Sequence, residues 1–190
     1  LPPRYFYLPN QFWQHKNHRV VIEALALVRA SAPDVVVVSS GSPVDHRDPG
    51  HFDRLKARVA ELGLVDAFRF AGLVPAADVP QLALHSVAVV NPSLFEGWST
   101  TVEEAKTLGV PLVLSSIPVH REQAGDTATY FDPHSPESCA RALLGAWNSA
   151  QQPPAERLQA SAESAEQRTR EFAGRLYEAL SRAANLDSPA

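Results

Sequence analysis

The run "DVVVVSSG" (Asp34–Gly41) constrains the fold more than any other stretch. It opens with four valines and no polar alternation, the pattern of a strand covered on both faces. Such a strand belongs to a parallel sheet flanked by helices. "RYFYLP" (Arg4–Pro9), "AFRFAG" (Ala67–Gly72), "VAVVNP" (Val87–Pro92), "VPLVLSS" (Val110–Ser116) and "ATYF" (Ala128–Phe131) read as five further strands. Helical patterns separate them. "NHRVVIEALALVRAS" (Asn17–Ser31) carries Val20, Val21, Ala24, Leu27 and Val28 on one face, with Asn17 as the expected N-cap. "DRLKARVAELGL" ends a helix at Gly63, and "AADVPQLALHS" gives a short one. Further helices are expected at about Ser99–Leu108, in "VHREQAG", and in "SPESCARALLGAWNS" with Ser135 or Ser138 at its cap. From Pro154 to Ala184 the chain is charged, alanine-rich and helical, as one long helix or two abutting ones.

Six strands alternating with helices predict a doubly wound α/β fold, Rossmann-like, with a parallel six-stranded sheet and helices on both faces. The usual order is 3-2-1-4-5-6, which sets strand one beside strand four. Ligands of such sheets bind at that switch, outside the carboxyl ends of the strands. The loops that meet there are "NQFWQHKNH" and "NPSLFEGWSTT", the two with the most unusual composition. Residues 1–150 are expected to form this nucleotide-binding unit, and 151–190 a helical extension of it, with Gln151–Pro154 as the only linker-like break.

Composition excludes several alternatives. The net charge of −4, with both signs interspersed, argues against a nucleic-acid surface. The single cysteine, Cys139, rules out an internal disulfide and fits a reducing compartment. No apolar run has the length of a membrane span. The chain holds no methionine and begins "LPPRYFYLPN", so a piece of a longer protein is expected.

At the crevice, Gly97 permits a tight turn or a close approach to a ligand. Ser99, Thr100 and Thr101 then fall at a helix N-terminus, where backbone N–H groups lack partners and phosphate binds readily. A self-capped helix, with Ser99 or Thr100 accepting from the backbone, is the simpler expectation. With Val102, Ala105 and Leu108 facing inward, Glu103 is expected to point to solvent and Glu104 to sit at the crevice edge. Glu96 and Glu104 then border one site, as acceptors suited to adjacent sugar hydroxyls. Lys16 is placed to neutralise a phosphate. His15 and His18 lack a third ligand nearby, so no metal is expected. "DHRDPGH" (Asp45–His51) reads as a solvated turn, and Phe12 and Trp13 as loop packing.

"PSLFEGWSTTVEEAKTLGVPLVLS" resembles the signature of family-4 retaining glycosyltransferases with the GT-B fold. There the segment reads approximately P-S-x-x-E-G-F/W-G-x-x-x-x-E-A-x-x-x-G-x-P-V, with seven residues between its two glutamates, as between Glu96 and Glu104. "NQFWQHKNHRVVIEALALV" resembles the family's first-strand loop, and "FRFAGLVPAADVPQLALHSVAVVNPS" the segment that links the two. The resemblance implies the C-terminal half of a two-domain enzyme, binding a nucleoside-diphosphate sugar, with the acceptor site for a saccharide or lipid in an N-terminal domain. It implies that Glu96 contacts the transferred sugar as the catalytic carboxylate and Glu104 the ribose. Lys16 and the backbone of Gly97, Trp98, Ser99, Thr100 and Thr101 would hold the diphosphate. Gly72 and Leu73 would lie against the base, and Gly41 would line the cleft. No metal or other cofactor is implied, since cationic side chains and the helix end stabilise the departing diphosphate. The family's frequent arginine five residues before the lysine is Gln11 here, its second glycine is Ser99, and its leucine-proline is Thr100-Thr101. A non-catalytic nucleotide-binding scaffold derived from such an enzyme is the alternative. A dinucleotide-dependent dehydrogenase is disfavoured, because no G-x-G-x-x-G follows the first strand. The expected location is cytoplasmic, with a peripheral place at the inner membrane left open.

Overall fold

A computed structural model describes residues 1–149 and 152–186. Strands β1 (Phe6–Leu8), β2 (Val37–Ser40), β3 (Phe68–Gly72), β4 (Val89–Asn91), β5 (Leu112–Ser115) and β6 (Ala128–Phe131) form one sheet. Its order is 3-2-1-4-5-6, as expected, and every pair is parallel. The helices are α1 (His18–Arg29), α2 (His51–Glu61), α3 (Val79–Leu84), α4 (Thr100–Thr107), α5 (Pro118–Ala124), α6 (Pro136–Asn148) and α7 (Pro154–Leu186).

The unbroken apolar runs have their physical reason in this sheet. Successive strand residues point to opposite faces, so a strand with helices on both sides needs every position apolar. Phe6, Tyr7 and Leu8 are all fully buried. Phe6 and Leu8 join Val37, Val90 and Val113 in a core closed by α1, α2 and α6. Tyr7 joins Val38, Val89, Leu112 and Leu114 in a second core closed by α3, α4 and α5. Helices α1 and α4 follow adjacent strands yet lie on opposite faces. Their connecting loops therefore diverge at the carboxyl edge and leave a crevice.

Gly41 sets the floor of that crevice. Its φ is +153°, and a Cβ there would stand 2.4 Å from the Asn10 carbonyl oxygen. The close approach lets the loops after β1 and β2 touch. Gly41→Ala is expected to lower stability by about 2–4 kcal/mol, since both backbone strands would have to part. Urea unfolding measures it; a loss under about 1 kcal/mol would mean that the crevice floor yields easily.

One reading needs correction here. Asn17 occupies the N-cap position of α1 but makes no side-chain cap bond. Its φ is +54°, and its amide instead donates to the carbonyls of Pro92 and Pro133, tying three loops together. The C-terminal stretch is one helix of 33 residues, and most of it does not pack on the sheet. Arg157 donates to the carbonyls of Leu84 and Ser86, and Ser161 to those of Lys106 and Thr107, anchoring the first two turns. Beyond them Phe172, Leu176, Tyr177 and Leu180 are exposed. Gln151, in the expected linker, lies outside the described residues, as do Ala150 and residues 187–190.

Candidate active site

The loops after β1 and β4 meet. The Leu94 amide donates to the His15 carbonyl at 2.8 Å, and Lys16 Nζ reaches Glu96 Oε1 at 2.7 Å. The pair is largely shielded, with Lys16 16% and Glu96 10% exposed. Burial alone would raise the Glu96 carboxyl; the hydrogen bonds from Lys16 and Ser93, the Lys16 charge and the Asn91 amide outweigh it and hold it below the usual carboxylate range.

Behind that pair is a web of buried polar groups. Asn10 Nδ2 donates to Asn91 Oδ1 at 2.9 Å, and Asn91 Nδ2 to Ser99 Oγ at 3.0 Å. Ser93 Oγ lies 2.7 Å from Glu96 Oε1, and Ser115 Oγ donates to the Ser93 carbonyl at 2.6 Å. His120 Nδ1 is 3.0 Å from the Ser115 carbonyl. Burial pushes the His120 imidazole down, so it is neutral at neutral pH. Asn10, Asn91, Ser93, Ser115 and His120 were missed in the sequence. Their one signal is positional: Asn10, Asn91, Ser93 and Ser115 all stand at or just past the carboxyl ends of inner strands.

The N-terminus of α4 is open. Ser99 is its N-cap residue but makes no side-chain cap bond, so the self-capped reading does not hold. Its hydroxyl is turned to Asn91 instead. The Ser99 peptide is held by the Gln123 side chain, which accepts from Ser99 N at 3.1 Å and donates to Ser99 O at 3.0 Å. Among the described residues the N–H groups of Thr100, Thr101 and Val102 have no acceptor. An eight-residue helix thus presents free donors and a positive dipole end to the crevice. Gly97 is exposed, and nothing lies within 4 Å of where its Cβ would be. Its φ is not positive, so the turn does not require glycine, and what glycine leaves there is open space.

The glutamates divide otherwise than the helical wheel predicts. Glu103 is half-buried and accepts from Gln123 Nε2 at 3.0 Å and from Lys106. The reach of α5 over α4 draws it in. Glu104 is exposed, and its carboxylate has no partner among the described residues. It shares a shallow recess with Thr101, Pro9, Val79 and Pro80, on the crevice side of α4.

The remaining expected residues fall around the same edge. Gln11 is exposed, and its Cα packs against Gly41. The Gly41 amide donates to the Gly72 carbonyl at 2.9 Å, which links the loops after β2 and β3. Leu73 and Trp98 are exposed, 76% and 56%. Asp45 is buried rather than solvated: its oxygens accept from the Gln14 and Arg47 amides, fastening the loop after β2 to that after β1. Phe12 is core, packed on Phe52 and Phe70. His18 is buried beneath Phe12, and burial pulls its imidazole down to about 3. Among the described residues no three His, Cys, Asp or Glu side chains gather as a metal site. No helix among them is long and apolar enough to cross a membrane.

Known proteins resemble this chain in sequence or in fold. O-antigen chain mannosyltransferase B of Escherichia coli is 33% identical over 76 residues, 40% of this chain and 20% of that protein. HepE of Anabaena, solved in complex with UDP, superposes with a TM-score of 0.73 at 20% identity, over 92% of this chain and 48% of that one. The catalytic domain of cholesterol-α-glucosyltransferase from Helicobacter pylori superposes with a TM-score of 0.63 at 21% identity, over 87% of this chain and 97% of that one. The two structural likenesses are of fold, and the fold fits a C-terminal portion of the GT-B architecture. The chain spans about a fifth of the length of the curated relatives it matches. Residues 2–167 match the family described as glycosyl transferases group 1, and the chain belongs to that family.

Proposed function

We propose that this chain binds a nucleoside-diphosphate sugar and serves metal-independent, configuration-retaining hexosyl transfer to a saccharide or lipid acceptor. The observation that carries the reading is the uncapped N-terminus of α4, aimed into the crevice that the Lys16–Glu96 pair closes. Membership of a glycosyltransferase family supports it, as do relatives described as a mannosyltransferase and as a UDP complex.

The diphosphate takes the free N–H groups of Thr100 and Thr101 and the charge of Lys16. An ammonium has three donors, and Glu96 uses one, so Lys16 can bind phosphate without leaving the carboxylate. Glu104, one turn along α4, accepts from the ribose diol. The backbone around Gly72 and Leu73 takes the base, and Gly41 and Gln11 line the cleft between. Glu96 faces the transferred sugar. As the glycosidic bond breaks, negative charge grows on the departing diphosphate, where the helix end and Lys16 already point; such preorganised donors lower the barrier. The acceptor site is assigned to a partner domain outside this chain, so the chain alone is expected to bind donor without turnover.

The test is an NMR titration of the isotope-labelled chain with UDP, GDP and ADP. One nucleotide is expected to shift the amides of Gly97, Thr100 and Thr101 and the Lys16 side chain. Silence at those positions with all three at saturation would end the proposal.

A further inference from the structure

The Glu96 carboxylate is held asymmetrically. Lys16 Nζ and Ser93 Oγ each lie 2.7 Å from Oε1, and Asn91 Nδ2 lies 3.5 Å from that same oxygen. Among the described residues Oε2 has no partner. The web explains why the load falls on one side. Ser93 Oγ has a single proton and two acceptors, Glu96 Oε1 and Asn91 Oδ1 at 2.8 Å. Asn91 Oδ1 is already engaged by Asn10 Nδ2 and the Ser93 amide, so the proton goes to the charged oxygen, where the bond is stronger. The same two bonds fix which way the Asn91 amide faces and turn its Nδ2 toward Glu96 and Ser99. The Ser93 backbone is in turn held through its carbonyl by Ser115, which His120 braces from α5.

We infer that Ser93 and Asn91 are positioning residues for the sugar-facing carboxylate: they load Glu96 Oε1 and present the free Oε2 to a hydroxyl of the transferred sugar. The inference rests on the proposed donor-binding function. A carboxylate anchored by one oxygen cannot swing, so its second oxygen meets only a hydroxyl at one place. Asn91 and Ser93 thereby contribute to which sugar is accepted, without touching it.

The experiment compares wild type, Ser93→Ala and Ser115→Ala by calorimetry, with a nucleoside diphosphate and its sugar ester in three pairs: UDP and UDP-glucose, GDP and GDP-mannose, ADP and ADP-glucose. The readout is how much tighter the ester binds than the bare diphosphate. In Ser93→Ala that advantage is expected to fall about tenfold, the worth of one hydrogen bond to a charged group, while diphosphate affinity stays within about twofold. Ser115→Ala, which leaves the Ser93 hydroxyl in place, is expected to change the advantage in the same direction by less. Equal loss for diphosphate and ester, or no change in the advantage, overturns the inference. Wild type that binds no diphosphate defeats the donor-binding reading itself, a separate result.

A carbon-13 titration of the Glu96 carboxyl gives a second readout that does not depend on ligand. Lys16 and His15 face this group from the loop after β1, and His120 faces it from α5. With Lys16 and both histidines unchanged, loss of the Ser93 hydroxyl is expected to raise the Glu96 titration midpoint. An unmoved midpoint in a folded Ser93→Ala chain counts against the inference.

Discussion

Lys16→Ala is expected to cost about 3 kcal/mol of stability. It leaves the shielded Glu96 carboxylate without its counter-charge, held only by Ser93 and Asn91. The variant also loses the cation proposed to meet the diphosphate, so donor affinity is expected to fall at least about tenfold. The pH dependence separates the two effects. In the wild type the Glu96 carboxyl is depressed, so its stabilising contribution is present above the unfolded value of about 4.3 and is lost as pH falls through the lower folded value. In Lys16→Ala burial dominates and the folded value rises. Acidification then protonates an unpaired buried charge, and the variant is expected to lose less stability than wild type between about pH 6 and pH 4. Thermal unfolding across that range measures it. Parallel pH curves for the two chains would show that Lys16 does not control Glu96.

Glu104→Ala is expected to do the reverse. Glu104 is exposed and its carboxylate is unpartnered, so stability should change by no more than about 0.5 kcal/mol. Nucleotide affinity should fall about tenfold to a hundredfold, because a carboxylate gripping a ribose diol makes two charge-assisted bonds. A 2′,3′-dideoxy nucleotide supplies the control. It should bind wild type and Glu104→Ala alike, since the diol is missing. If the dideoxy nucleotide still discriminates between the two chains, Glu104 acts elsewhere than on the ribose.

The contrast between these residues shows what the sequence carried. Strand order and the meeting of two distant loops were legible, because they follow from local pattern and a connection rule. Lys16 and Glu96 came together for that reason. The helical wheel failed at Glu103, because it treats α4 alone and knows nothing of Gln123 reaching across from α5. The cap reading failed at Ser99 for a like cause: the hydroxyl that would cap its own helix is claimed by Asn91 on β4. Asn17 carries the residue type of a helix cap and serves as a clasp between loops. At Ser99 and Asn17 a short polar side chain has a local partner within reach and takes a tertiary one instead. The exposed run of α7 was illegible for a different reason. Apolar spacing states that a helix has a face, not whether anything in the same chain covers it.

The place of β1 also governs how the molecule is made. Tyr7 hydrogen-bonds across the sheet to Ala88, and its strand partner there is Val89. A ribosome has therefore to deliver α1, β2, α2, β3 and α3 after β1 before that strand gains its second neighbour. Until then one flank of β1 is a bare edge able to pair with other chains. The crevice arises only once the loop after β4 and the start of α4 have been made, since neither loop alone supplies both of its walls.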